Sequence, residues 1–87
     1  MYKIVFTKKA VKDVTKLKEC NLDKKAKQLI EILREESFKQ PPRFEKLLGE
    51  LSGAYSRRIN IKHRLVYQVV EEEKIVKTLS MWSHYEF

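Results

Sequence analysis

The chain has 87 residues and a formal net charge of +7, from 19 Lys and Arg against 12 Asp and Glu. This length favours one domain over residues 1–87 and excludes a large multidomain enzyme. No apolar run is long enough to span a bilayer and no signal-peptide pattern occurs, so we expect a cytoplasmic protein without membrane contacts.

The first half of the chain predicts a strand followed by two helices. Residues 2–7 are rich in β-branched and aromatic side chains, which is typical of a strand. Thr7 and Asn21 are residue types that cap helix N-termini, and the apolar spacing after each predicts a helix, the first over 8–19. The predicted inward-facing residues are Ala10, Val11, Val14, Leu17, Leu22, Ala26, Leu29, Ile30 and Leu33.

The second half predicts a sheet. Pro41-Pro42 ends helical structure, and a connecting segment, residues 43–52, follows. Apolar residues then alternate over 54–61, 64–70 and 74–82, which indicates three strands. The order β-α-α-β-β-β predicts an α+β fold in which the helical pair packs on one face of a twisted antiparallel sheet.

The turn between the second and third strands decides which side chains share a face. A three-residue turn at 61–63 would pair 58 with 66 and place Arg58 and Arg64 together on the face away from the helices. A two-residue turn would separate them. On the last strand, Ile75, Leu79 and Met81 would then face the helices. The opposite face would receive Ser56, Asn60, Val66, Gln68, Thr78, Ser80, Trp82 and His84.

Several kinds of site are missing from the sequence. There is no glycine-rich phosphate loop and no spacing of His and Cys that would suit a metal. The single cysteine, Cys20, cannot form an internal disulfide. We therefore expect neither a cofactor nor a metal ion.

The arginines point to a polyanionic partner. Four of the five, Arg43, Arg57, Arg58 and Arg64, fall within 22 residues, and the guanidinium fork suits phosphate. Metal-independent RNA cleavage needs a base for the 2′-hydroxyl, cations for the phosphorane and an acid for the leaving oxygen. The residues that could supply these groups are Glu45, Arg58, Arg64, His84 and Tyr85.

These residues also allow other interpretations. Glu45 could be a solvated loop carboxylate, His84 a frayed terminal residue, and Trp82 part of the core. The same arginines would equally serve a noncatalytic RNA-binding module.

A long motif in the second half resembles a known family. The stretch EKLLGELSGAYSRRI (45–59), followed by HRLVY (63–67) and His84-Tyr85, resembles the YoeB (Txe) toxins of the RelE/ParE superfamily. The resemblance implies a RelE-like fold and a toxin of a type II toxin–antitoxin system. It further implies a ribosome-dependent endonuclease that inhibits translation by cutting mRNA in the A site through metal-independent 2′-hydroxyl attack.

The resemblance also implies roles for individual residues. Glu45 matches the general base and His84 the general acid, while Tyr85 matches a residue that sets substrate geometry. Arg58 and Arg64 match the cations that hold the phosphate and its developing charge. Trp82 is a candidate for stacking on a base of the RNA.

The expected partners follow from charge and resemblance together. They are mRNA on the ribosome, with rRNA contacts through the Lys/Arg surface, and an acidic antitoxin of the Phd/YefM type. A homodimer is possible. A ParE-like toxin of the same fold that inhibits gyrase is the alternative, although it needs neither Glu45 nor His84-Tyr85.

Two features of the sequence depart from the family pattern. Lys62 stands where related toxins often have an acidic residue, and Glu86-Phe87 follow the His-Tyr pair. We expect His63 to be a structural residue of the turn. We also expect Arg57 to face the helices and to have a structural role.

Overall fold

Two helices pack on one face of a five-stranded sheet in the computed structural model of the protein. The structure describes residues 1–38, 44–47, 53–60 and 62–82. No helix in these ranges is long and apolar enough to cross a membrane. The elements in chain order are β1 (Lys3–Phe6), α1 (Lys8–Glu19), α2 (Asp23–Glu35), β2 (Phe44–Lys46), β3 (Ala54–Arg58), β4 (Arg64–Val70) and β5 (Ile75–Ser80).

The sheet has the strand order β1-β5-β4-β3-β2. The predicted α+β fold, with both helices on one face, is confirmed, and two details differ from the sequence prediction. Strand β2 lies within the predicted connecting segment, because three residues are too few to show a period of two. Strand β1 pairs in parallel with β5, so the sheet is mixed, whereas the other strand pairs are antiparallel.

The helix starts follow from local hydrogen bonding. The Thr7 Oγ1 accepts the Ala10 N–H at 3.1 Å, which confirms the predicted cap of α1. The predicted cap at Asn21 is wrong, because α2 begins after Leu22 without a side-chain cap. Asn21 instead has a φ of 59°, a left-handed conformation that asparagine tolerates better than most residues.

The core lies between the helices and the sheet. Within α1 the buried stripe includes Asp13, while Val11, predicted to be inside, is 56% exposed. A helix advances about 100° per residue, so residues adjacent in sequence cannot both occupy a narrow stripe. The buried core residues are Ala10, Leu17, Ala26, Leu29, Ile30, Leu33, Ile59, Leu65, Tyr67, Val76 and Met81.

The β3–β4 connection is longer than predicted but keeps the predicted faces. Arg58 pairs with Arg64, so the loop comprises residues 59–63 rather than three residues. The pairing moves by two positions, and a shift of two leaves every side chain on its original face. The Asn60 Oδ1 organises this loop by accepting the N–H groups of Lys62 and His63 at 2.8 and 2.7 Å.

A β-bulge in β5 overturns part of the predicted alternation. Tyr67 pairs with Thr78, whereas the preceding residue of β4 pairs with Ser80, so Leu79 is the extra residue. Ser80 therefore faces away from the helices as predicted. Thr78 faces the helices and Ile75 faces away, the reverse of the prediction, because a bulge inverts the period-two alternation.

Candidate active site

The candidate site lies on the sheet face opposite the helices, where β2, β3 and β4 run side by side. Glu45 of β2 pairs with Ser56 of β3, and Ser56 pairs with Val66 of β4. Two residues along, Arg58 pairs with Arg64. We call these five residues the site face.

An ion pair joins the two outer strands of the site face. The Arg64 Nη1 lies 3.3 Å from the Glu45 Oε2, and it also donates to the Ser56 Oγ at 3.5 Å. The Arg64 side chain is 26% exposed and that of Glu45 is 53% exposed. Accessible ion pairs contribute only about 0–1 kcal/mol to stability, so this pair is easily opened by a competing anion.

Arg58 adds a second cation to the same surface. It is exposed and lies directly across from Arg64 on the neighbouring strand. Like charges in directly opposed cross-strand positions repel each other. A phosphate bound between them would relieve that repulsion and accept hydrogen bonds from both guanidinium groups.

Arg57 lies on the helix side of the sheet and is 1% exposed. Its Nε donates to the Tyr67 hydroxyl at 3.1 Å, and its Nη2 donates to the Ser37 carbonyl at 3.0 Å. The guanidinium carbon is 5.1 Å from the centre of the Phe44 ring. Burial raises the pKa of the Tyr67 hydroxyl above its ordinary value of 10.0. The predicted position of Arg57 is confirmed, and its contacts join Ser37, in the segment after α2, to the sheet.

His63 and Trp82 form a stacked pair next to β4. Their ring centres are 4.0 Å apart, and His63 is 5% exposed. The Trp82 carbonyl accepts the Arg64 N–H at 3.1 Å, so the pair lies beside a residue of the site face. These contacts agree with a structural role for His63. The Trp82 ring also packs against the core and lies 5.9 Å from the Nζ of Lys16 in α1, so its predicted place on the face away from the helices is wrong. Lys62 is exposed.

A separate charged cluster lies where β1 meets the β4–β5 turn. The Tyr2 hydroxyl donates to the Glu71 carboxylate, which also accepts from the Lys74 Nζ at 2.9 Å. The Tyr2 hydrogen bond is the main cause that lowers the pKa of Glu71, and the same bond raises the pKa of Tyr2. The hydrogen bond to Glu71 raises the pKa of Lys74. This cluster joins chain segments and contains no candidate site residue.

His84 and Tyr85 of the predicted site lie outside the described residues. Arg43 of the arginine cluster and Glu86-Phe87 lie outside them as well. The structure thus brings together Glu45, Arg58 and Arg64. Within the described ranges, no group of three or more His, Cys, Asp or Glu is arranged to hold a metal ion.

A cavity of about 390 Å³ lies elsewhere, between the two helices and the β1 side of the sheet. Phe6, Ala26 and Met81 are among its lining residues, and none of the site-face residues is.

Asp13 is a buried carboxylate that the sequence did not predict to be buried. It is 1% exposed on the sheet-facing side of α1. The only signal for it was a carboxylate three residues after Ala10 in an otherwise apolar stripe.

The fold, two helices on one face of a five-stranded mixed sheet, is that of the RelE/YoeB-like class. Residues 6–85 match the family model described as the YoeB-like toxin of bacterial type II toxin-antitoxin systems. The chain therefore belongs to the YoeB toxin family.

Individual relatives agree with this assignment. The chain is 33% identical to the toxin YoeB of Streptomyces coelicolor over 76 residues, which cover 85% of this chain and 90% of that protein. A YoeB/ParE toxin from Agrobacterium tumefaciens superposes with a TM-score of 0.86 at 27% identity, covering 95% of this chain and 99% of that one. The YoeB–YefM complex from Staphylococcus aureus gives a TM-score of 0.81 at 33% identity, covering 98% and 99%. The YoeB dimer of the same species matches with the same TM-score at 32% identity, covering 97% and 98%.

Proposed function

We propose that this toxin is a ribosome-dependent endoribonuclease that cuts mRNA in the A site by metal-independent attack of the 2′-hydroxyl. The observation that carries the proposal is the 3.3 Å contact between Glu45 and Arg64, with Arg58 directly across from Arg64. The contact supports the proposal because a carboxylate and two guanidinium groups lie together on one accessible surface, and these are the groups that proton abstraction and phosphate binding require.

The first half of the proposed reaction uses these three side chains. The Glu45 carboxylate accepts the proton of the 2′-hydroxyl, and the 2′-oxygen attacks the adjacent phosphorus. Negative charge grows on the non-bridging oxygens, where Arg64 and Arg58 stabilise it. An incoming phosphate would compete with Glu45 for Arg64, which frees the carboxylate to act as base.

The second half requires an acid. The bond from phosphorus to the 5′-oxygen breaks as His84 donates a proton to the leaving oxygen. The products are a 2′,3′-cyclic phosphate and a 5′-hydroxyl end. Tyr85 helps to set the geometry of the substrate, and Trp82 stacks on a base. The roles of His84 and Tyr85 rest on the family resemblance, and that of Trp82 rests on the ability of an aromatic ring to stack on a base.

We propose that the ribosome is required because the candidate site is shallow. Glu45 is about half exposed and does not line the cavity of about 390 Å³, so we expect the protein alone to fix RNA weakly. A ribosome that presents an ordered codon supplies the orientation that such a site lacks. The +7 charge favours rRNA contacts through the Lys/Arg surface.

We also propose an acidic antitoxin of the Phd/YefM type as the inhibitor. The Staphylococcus aureus relative was solved in complex with YefM. An acidic chain that folds on binding can pair with Arg58 and Arg64 and cover a wide, shallow surface. We expect the toxin to copurify with such a protein and to arrest growth when it is expressed alone. A homodimer like that of the same relative would appear at twice the monomer mass in sedimentation equilibrium.

The decisive experiment maps the cut ends of a message on translating ribosomes treated with the purified protein. We expect a cut within the A-site codon and a 2′,3′-cyclic or 3′-phosphate end. A message with a single 2′-deoxy substitution at the cut position should stay intact, because the nucleophile is missing. The matched control carries the deoxy substitution three nucleotides upstream and should be cut normally.

Other outcomes would overturn the proposal in distinct ways. Cleavage of the deoxy message at the wild-type rate would exclude 2′-hydroxyl attack. Binding to ribosomes without cleavage would indicate a noncatalytic RNA-binding module. Inhibition of gyrase supercoiling without RNA cleavage would indicate a ParE-like activity.

A further inference from the structure

Asp13 is a carboxylate buried in the apolar stripe of α1. It is 1% exposed, and its stripe neighbours Ala10 and Leu17 belong to the hydrophobic core. An ionised carboxylate is costly to bury unless hydrogen bonds replace its lost hydration. Its partners in this structure therefore indicate what it does.

The main partner of Asp13 lies at the end of β5, 68 residues along the chain. The Asp13 Oδ2 accepts the Met81 N–H at 3.0 Å. The Lys9 Nζ is 3.6 Å from the same oxygen, but the Lys9 side chain is 65% exposed, so this ion pair adds little. Strand β5 ends at Ser80, and Asp13 supplies the acceptor for the first N–H beyond it.

The beginning of α1 binds the same stretch of β5. The Thr7 N–H donates to the Thr78 carbonyl at 3.0 Å, and the Thr7 Oγ1 donates to the Leu79 carbonyl at 2.9 Å. Leu79 is the extra residue of the β-bulge. The first two turns of α1 thus hold β5 where its alternation inverts and where its ladder ends.

The residue after Met81 connects this anchor to the site face. The Trp82 carbonyl accepts the Arg64 N–H, and its ring stacks on His63. Arg64 in turn binds Glu45. A continuous set of contacts therefore runs from Asp13 through Met81 and Trp82 to Arg64.

We propose that Asp13 is a positioning residue that holds the Met81–Trp82 strand end against Arg64, so that the site face keeps its geometry for RNA cleavage. This inference rests on the proposed nuclease function. A displacement of about 1 Å between reacting groups can lower a rate about 10²-fold, which makes such an anchor important.

The test compares Asp13→Ala with Asp13→Asn. Alanine removes the acceptor for the Met81 N–H, whereas the asparagine carbonyl keeps an acceptor of the same size without the charge. Asp23→Asn is the matched control, since Asp23 is the only other aspartate in the sequence and has no hydrogen bond to the strand end. Leu29→Ala, buried in α2, controls for a general loss of stability.

Two of the three measurements do not depend on activity. Trp82 is the only tryptophan, so acrylamide quenching of its fluorescence reports its exposure directly. Hydrogen exchange of the Met81 amide reports the bond to Asp13. The third measurement is the single-turnover cleavage rate on ribosomes at a saturating protein concentration.

We expect Asp13→Ala to increase Trp82 quenching, to accelerate Met81 exchange and to lower the cleavage rate by about 10- to 10²-fold. Asp13→Asn should stay within about threefold of the wild-type rate, because its carbonyl still accepts the bond. If Asp13→Ala does not fold, Asp13→Glu, whose carboxylate is displaced by one methylene, should show the same changes to a smaller extent.

Unchanged quenching and unchanged Met81 exchange in the folded Asp13 variant would overturn the inference. So would an equal rate loss in Leu29→Ala at matched stability, since the effect would then be general destabilisation. A wild-type protein that cuts no RNA would overturn the proposed function instead. In that case the quenching and exchange results alone decide whether Asp13 holds the strand end.

Discussion

Arg57 and Arg58 are neighbours in the chain, yet they belong to two different regions of the molecule. Arg57 faces the helices, is 1% exposed and binds Tyr67 and Ser37. Arg58 faces the other side, is exposed and lies across from Arg64. The comparison shows that the side of the sheet, rather than the residue type, decides whether a cation is buried among hydrogen-bond partners or is exposed to solvent.

The carboxylates divide in the same way. Asp13 is buried on the helix side and holds a backbone N–H, whereas Glu45 is about half exposed and pairs with Arg64. Changes on the site face should therefore lower activity with little loss of stability. Changes on the helix side should lower stability, and Asp13 should in addition lower the cleavage rate, because it holds the strand end beside Arg64. The following predictions test that division.

The largest effect is expected at the proposed base. Glu45→Ala should lower the single-turnover cleavage rate by at least about 10²-fold, because general base catalysis is typically worth about 10²–10⁴. His84→Ala should do the same. Ribosome binding and the thermal midpoint should change little, and Glu73→Gln, an exposed carboxylate on the β4–β5 turn, is the control. Near wild-type cleavage rates in both alanine variants would show that Glu45 and His84 are not the base and the acid.

Arg64 should show the next largest effect on activity. Arg64→Ala is expected to lower the single-turnover rate by about 10²–10³, since it removes a cation from the developing phosphorane. Arg64→Lys should recover only part of this loss, because the ammonium cannot form the guanidinium's paired hydrogen bonds. Full recovery with lysine would show that charge alone is sufficient. The comparison is made at saturating concentration, so that weaker binding does not contribute.

Stability should respond most on the helix side. Arg57→Ala is expected to lower the free energy of unfolding by about 2–4 kcal/mol, since each buried polar group left unpaired costs about 1–3 kcal/mol. Arg58→Ala should stay within about 0.5 kcal/mol, as expected for an exposed residue. Urea denaturation of the two variants measures the difference. Equal losses would contradict the division between the two sides.

The smallest effect concerns pH and the cluster of Tyr2, Glu71 and Lys74. The pKa of Glu71 lies below its ordinary value of 4.5 because Tyr2 and Lys74 donate to the carboxylate. A lowered folded pKa adds stability above the unfolded pKa, and this stability is lost as the pH falls through the folded value. Glu71→Gln should therefore flatten the decline in stability below about pH 5, with a small amplitude because the group is exposed. Urea denaturation at several pH values checks this, with Glu73→Gln as control.

Much of the fold could be predicted because its signals are local. Thr7 caps α1 because its hydroxyl accepts a hydrogen bond from a nearby backbone N–H, which is a local preference. The buried faces of the helices and of β3 and β4 follow from apolar residues that recur with periods of 3.6 and two. Arg58 and Arg64 share a face as predicted, although the loop between their strands is longer than predicted. The pairing differs from the prediction by two residues, and a shift of two leaves each side chain on the same face of the sheet. The residues of the candidate site came from this shared face and from the motif formed by residues 45–59, 63–67 and His84-Tyr85.

What the sequence by itself determined is therefore the α+β class, the helical pair, the parity of β3 and β4 and the membership of a toxin family with its candidate residues. Only the tertiary structure decided the parallel pairing of β1, the bulge that turned Thr78 inward, and the contact between Glu45 and Arg64. It also revealed the bond from Asp13 to Met81, which joins residues 68 positions apart. The physical reason is that periodicity and capping act within one element, whereas strand direction, bulges and buried polar pairs depend on which distant groups meet when the chain packs.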